Sequence, residues 1–238
     1  MMDSVYMLTL RQLTGRWRII VMTVLAAMPV VITLLVLSGS SAPPVDEFEE
    51  VVFSNMLAGA IIPMVVLAIA SAGFGNEVED RTLANLTLAA LPRWRIALPK
   101  LLAAITLAAP FIGISAFLTS HFAYLGDARA TAAGTLAAIA GVALYASAFT
   151  FLGLVSSQAI GAGLVYIVLW EGFFSNFVGG VRMLSIRHYA MGLMHAIDPR
   201  RLDIDNTLAP AAAITASIVV FFGFLWLTVR RLRRMDVP

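Results

Sequence analysis

Glu171 has the strongest claim on chemistry in this 238-residue chain. It is the one acid well inside an apolar stretch, and a charge held in hydrocarbon is costly and marks a candidate functional site. Two roles are open to it. It lines a polar pathway or pairs with Arg182 or Arg187, or it sits hydrated where its helix breaks beside Gly172. The histidines His121, His188 and His195 are weaker candidates. His188 and His195 are seven apart without neighbouring ligands, and the His-Glu-x-x-His pattern is missing, so solvated positions at an interface are favoured over a metal centre. A serine nucleophile lacks the Gly-x-Ser-x-Gly elbow, leaving only a Ser175/His188 pair as a protease-like arrangement. With no cysteine, thiolate chemistry, disulfides and cysteine-ligated zinc are absent. The sole lysine, Lys100, lacks the glycine-rich context of a phosphate-binding loop, so no cofactor and no ATP chemistry are expected on this chain.

The elements that carry these residues follow from the charge distribution. Hydrophobic residues make up 60% of the chain, charged residues 13%, and the mean hydropathy is +0.90. Soluble domains carry about 25% charged residues, so a soluble domain, a disordered chain and a nucleic-acid binder are excluded. No charge falls in 19–45, 51–76, 101–126, 130–170 or 206–229. A crossing helix needs roughly 20 apolar residues. The interval 130–170 would make one helix of about 60 Å, so it folds back at the polar Ser156-Ser157-Gln158. The chain is therefore expected to be an all-α polytopic membrane protein, one transmembrane domain over 1–238. Its six spans fall at 19–38, 52–74, 99–121, 131–154, 159–178 and 208–229.

Arg and Lys favour short cytoplasmic loops. One side holds Arg11, Arg16, Arg18, Arg81, Arg93, Arg95, Lys100, Arg230, Arg231, Arg233 and Arg234; the other holds Arg129, Arg182, Arg187, Arg200 and Arg201. Both termini are thus expected in the cytoplasm, with the chain in the cell membrane. The bases sit at span ends, so the pI near 9.3 reads as orientation, not as a nucleic-acid face. A cleavable signal over 1–42 is disfavoured because the apolar run Ile19–Leu37 is too long. Residues 1–18 read as an interfacial helix or an extension of the first span. Pro63 and Pro110 interrupt spans two and three, while Ala103, Ala104, Ala108, Gly113, Gly134, Ala137, Ala138 and Gly141 allow close helix packing. Residues 179–205 read as an outer amphipathic or re-entrant segment ended by Asp198-Pro199. Trp170, Trp226, Tyr124 and Tyr166 read as interface anchors.

The interval between spans two and three is the most informative. Residues 76–92 open with Glu77, Glu79 and Asp80, favourable at a helix N-terminus. They continue with Arg81, Thr82 and Leu83, place Leu86 and Ala90 at helical spacing, and stop at Pro92. This is a short amphipathic helix suited to a cleft on a partner. Glu77, Thr82-Leu83, Leu86, Pro92, Arg95 and Lys100 resemble the pattern of permease subunits of type-2 ABC exporters, with Pro99 standing where a glycine often precedes the lysine. The six-span layout, the interfacial N-terminal helix and the broken segment after span five are similar to that family too.

The resemblance implies a coupling helix at 76–92, with Glu77, Glu79, Asp80, Arg81, Thr82 and Leu86 engaging a separate ABC ATPase subunit that binds ATP and Mg. It also implies a second copy of this chain or a related permease, and a pathway built from spans one, two and five. The alternatives are a membrane-embedded enzyme acting on lipid or peptide, and a non-transporting membrane scaffold. No substrate is readable.

Overall fold

The computed structural model describes residues 2–39, 43–79, 92–156, 158–175, 181–200 and 208–234, and its regular elements there are all helical. Helix α1 (Met2–Leu13) is amphipathic and buries Thr9 and Leu13. It stops at Thr14-Gly15, where Gly15 is extended and caps α2 (Arg16–Ser38). The expected interfacial helix thus ends five residues early, and Arg16, Trp17 and Arg18 begin the first long helix. Four residues of α2 are buried, Met22, Ala26, Pro29 and Thr33. Their spacing of four, three and four makes one narrow stripe, and α2 packs on the helix Trp94–Ala123. The rest of α2 presents Trp17, Val24, Val31 and Leu35 outward.

The second apolar stretch, Val45–Gly75, is the centre of the molecule. It begins as α3 (Val45–Phe48), widens into a π-helical segment (Glu49–Ile61), and continues as α4 (Ile62–Ala70) and α5 (Ala72–Glu79). Proline cannot donate a backbone bond. Pro63 sits in the first turn of α4, where the bonding register has just changed, so the missing donor falls at a junction and the apolar run continues. Its most apolar window is 83% buried, against 11% for α10 (Pro210–Arg234). Glu49, which lies between the first two expected spans, is 2% exposed at the start of the π segment. Its carboxylate accepts a hydrogen bond from Tyr124 (2.9 Å), whose ring stacks on Phe53.

Helices α6 (Trp94–Ala123) and α7 (Ala128–Val155) form an antiparallel hairpin. Leu125 and Gly126 turn the chain with positive φ (51° and 80°), and the Asp127 carboxylate accepts from the Arg129 and Ala130 amides to cap α7. Small residues set how closely the helices approach. A Cβ on Gly153 of α7 would collide with the Ser71 carbonyl oxygen, and one on Gly134 with the Ser120 hydroxyl. Pro99 and Pro110 lie within α6 without ending it.

Among the described residues, five stretches are long and apolar enough to cross a membrane: Arg16–Ser38, Val45–Gly75, Trp94–Ala123, Ala128–Val155 and Pro210–Arg234. The stretch expected as span five is shorter. It comprises α8 (Ala159–Val165) and a second π-helical segment (Tyr166–Phe174), together about 24 Å long against a hydrocarbon core of about 30 Å. A 3₁₀ turn (Val181–Leu184) then leads into α9 (Ile186–Ile197), capped by the Ser185 hydroxyl. Helix α9 packs on α7 and α10, so residues 186–197 of the segment expected at 179–205 form an amphipathic helix with one face in the core.

Candidate functional site

Two buried polar centres stand out. The first joins α5 to α6. Lys100 is 2% exposed, and its ammonium donates to the Gly73 carbonyl oxygen and to Glu77 Oε1, each at 2.5 Å. Its third neighbour is the Phe74 ring, with the centroid 4.6 Å away. Gly73 and Glu77 are four apart and share a helix face, so one ammonium reaches both. A buried charge needs such compensation; here it has a carboxylate, a carbonyl and an aromatic face. Phe74, Ile96, Ala97, Leu154 and Leu232 pack around this end. Glu77 Oε2 is buried and has no hydrogen-bond partner among the described residues. Glu79 ends α5, while Asp80, Arg81, Thr82 and Leu86 of the expected coupling helix lie outside the described residues.

The second centre lies where the two π-helical segments meet. Glu171 is fully buried. Its Oε1 accepts from the Tyr166 hydroxyl (2.7 Å) and the Ile186 amide (3.1 Å), and Oε2 accepts from the Ser185 hydroxyl. A carboxylate with three donors is well compensated. Arg187, 4% exposed, spans the two segments. Its Nε and Nη2 hold the Ser54 hydroxyl (3.1 and 2.8 Å), and Nη1 donates to the backbone oxygen of Glu171 (3.4 Å). Gly59 leaves the room: a Cβ there would sit 3.3 Å from Arg187 Cδ. Arg182 donates from Nε to the Ser175 carbonyl oxygen (3.3 Å). Glu171 and Arg187 share this centre without a side-chain ion pair: hydroxyls and an amide hold the carboxylate, and the guanidinium reaches the main chain of Glu171.

A third polar group ties α7 to the end of α9. Arg200 bonds Asp198 (2.9 Å) and Asp127 (3.2 Å), and Arg129 donates to the Ile197 carbonyl oxygen (2.9 Å). Hydrogen bonds from the Arg200 side chain hold the Asp198 carboxyl below the usual carboxylate range. The Ala130 amide does the same for Asp127, helped by the Arg129 amide and the Arg200 charge.

No family model matches the chain, and neither does any curated protein. Among the described residues no cluster of three or more His, Cys, Asp or Glu could hold a metal ion. His121 stacks on Phe117, with ring centroids 5.8 Å apart. Ser175 donates to the Glu171 carbonyl oxygen, and His188 stands beside Ser185 (2.9 Å), not beside Ser175. Ser185 donates a hydrogen bond to Glu171 and accepts one from the His188 amide, which caps the start of α9.

Sequence reasoning missed Ser54, Tyr166 and Ser185 as partners of the intramembrane charges, and it missed the Glu77–Lys100 contact. Two signals were present. Ser185 stands directly before an amphipathic run, the position of a helix cap, and Lys100 is the chain's only lysine, facing Glu77 across one connection.

Proposed function

We propose that this chain is the membrane-spanning permease subunit of an ATP-driven ABC exporter, with ATP hydrolysis on a separate ATPase subunit. The observation that carries this reading is the Glu77–Lys100 pair. It fastens the end of α5 to the start of α6, the two elements that flank the exporter-like residues. A push delivered between them reaches both together, which is what a coupling element requires. Both members of the pair belong to the pattern that resembles type-2 exporter permeases.

In this reading Ala159–Phe174 belongs to the fifth of six spans, α9 lies at the outer side, both termini are cytoplasmic, and a second copy completes the pathway. Asp80, Arg81, Thr82 and Leu86 contact the ATPase. The enzyme alternative has less support, since Glu171 and Ser185 are committed to each other. The test is purification of the tagged full chain from its native membranes. Recovery of a polypeptide carrying a phosphate-binding loop, in equal molar amount and hydrolysing ATP, is expected. Recovery of the intact chain without any ATPase overturns the reading.

A further inference from the structure

An apolar cavity of about 360 Å³ lies between α7, α8, the second π segment and α10. That volume falls within the range of ligand sites, roughly 300–1,000 Å³. Phe149, Phe151, Tyr166, Trp170 and Phe224 supply aromatic walls, and Ala148 and Ala162 leave the space. The polar atoms of its wall are already engaged. The Tyr166 hydroxyl donates to Glu171, and Trp170 Nε1 donates to the Leu184 carbonyl oxygen (3.3 Å). A water needs two to four polar partners to occupy a cavity, and this one offers none that is free. Its proper filling is hydrocarbon.

The route in is also apolar. Val220 and Phe224 of α10 and Ala162 of α8 line the cavity, and their helices carry the exposed Val219, Phe222, Leu164 and Val165. The cavity thus continues into surface that, on the reading of these helices as membrane spans, belongs to the bilayer. Lipid tails are as apolar as leucine, so no hydrophobic gain drives entry. The gain is dispersion: wall atoms facing a void lose contacts that a close-fitting chain restores.

We propose that this cavity binds one acyl chain of a bilayer lipid, as a resident lipid and not as transported cargo. The chain would brace Tyr166, Trp170 and Ile186 (the last also lines the cavity), the residues whose hydroxyl, indole and amide hold the Glu171 centre and the 181–186 turn in place. The proposal rests on the membrane reading alone and stands whether or not an ATPase partner exists.

The experiment reconstitutes the full chain in vesicles of phosphatidylcholine carrying a photoreactive diazirine within the acyl chain, at increasing mole fraction, and maps adducts after illumination. Adducts on residues 148–152 and 220–224 are expected to saturate, while those on the exposed face of α2 rise in proportion to the label. Ala148→Phe, which fills the cavity, should lower the saturating adduct about tenfold and leave the α2 adducts unchanged. Val220→Trp serves the same purpose should Ala148→Phe fail to fold. Adducts that rise in proportion at every position and ignore both substitutions would mean annular contact only and overturn the proposal.

Discussion

Lys100 and Glu77 stand 23 positions apart and meet at 2.5 Å, the ammonium almost wholly buried. The contact closes the one connection that carries the exporter-like residue pattern. Removing one partner of a buried pair leaves an uncompensated charge and costs about 3–5 kcal/mol, whereas replacing both by apolar residues is often close to neutral. Lys100→Met alone is therefore expected to lower the thermal midpoint of the purified protein sharply, and the Glu77→Leu/Lys100→Met double variant to recover most of the loss. Equal, additive losses in the double variant would show that the two side chains act independently.

The Glu171 centre makes a different prediction. Glutamine in its place puts an NH₂ group among donors from Tyr166, Ser185 and Ile186, so a hydroxyl such as that of Ser185 must turn from donating to accepting and a charge-assisted bond is lost. Glu171→Gln should cost about 1–3 kcal/mol of stability. Ser185→Ala removes a donor to the carboxylate and the cap of α9 together, worth about 1–2 kcal/mol. Chemical denaturation in a fixed detergent measures both. A Glu171→Gln protein as stable as the wild type would remove the carboxylate from its role in holding the fold.

Gly153 lies against the backbone of Ser71, so its neighbour is a carbonyl oxygen that cannot rotate away. Gly153→Ala should separate α7 from the Val45–Gly75 stretch and destabilise by about 1–3 kcal/mol, the range for overpacking. Gly73→Ala, which has open space around its Cβ, is the matched control and should stay within about 0.5 kcal/mol.

The same sequence was legible at the level of crossings and less so at the level of contacts. Uncharged intervals located the helices Arg16–Ser38, Trp94–Ala123, Ala128–Val155 and Pro210–Arg234 within a few residues, because the bilayer selects on length and apolarity alone. The N-terminal break fell at Gly15 and not after Arg18, since an amphipathic pattern continues across a glycine that the backbone uses to turn. The π-helical segments had no signature: Glu49–Ile61 and Tyr166–Phe174 read as ordinary helix, and the registers of Ser54 and Glu171 depend on that widening. Glu171 was visible as an anomaly. Its donors were not, because Tyr166 and Ser185 are common residues whose roles depend on how the chain folds back after residue 175.

The cluster of Asp127, Asp198 and Arg200 should respond to acid. Both carboxyls titrate below the unfolded value near 3.9. A depressed carboxyl contributes stability that is present above the unfolded value and lost as pH falls through the folded one. The tie between α7 and α9 should therefore hold at neutral pH and open only below about pH 4. Arg200→Gln should raise the Asp198 midpoint more than that of Asp127, because the Arg200 side chain is the leading cause for the first and the Ala130 amide for the second. Carbon-13 NMR of labelled aspartates reads both midpoints; an Asp198 midpoint unmoved by Arg200→Gln would contradict the assignment.

The connection between Glu77 and Lys100 can be probed against a clean background, because the chain has no cysteine. Leu86→Cys, carrying a short photoactivatable thiol reagent in native membranes, tests the coupling role most directly. A cross-link from Leu86→Cys to an ATPase subunit with a phosphate-binding loop, sensitive to added ATP, is expected, and none from Leu35→Cys on the outward face of α2. Absence of any ATPase adduct from Leu86→Cys, with the reagent shown to be attached, would contradict that role.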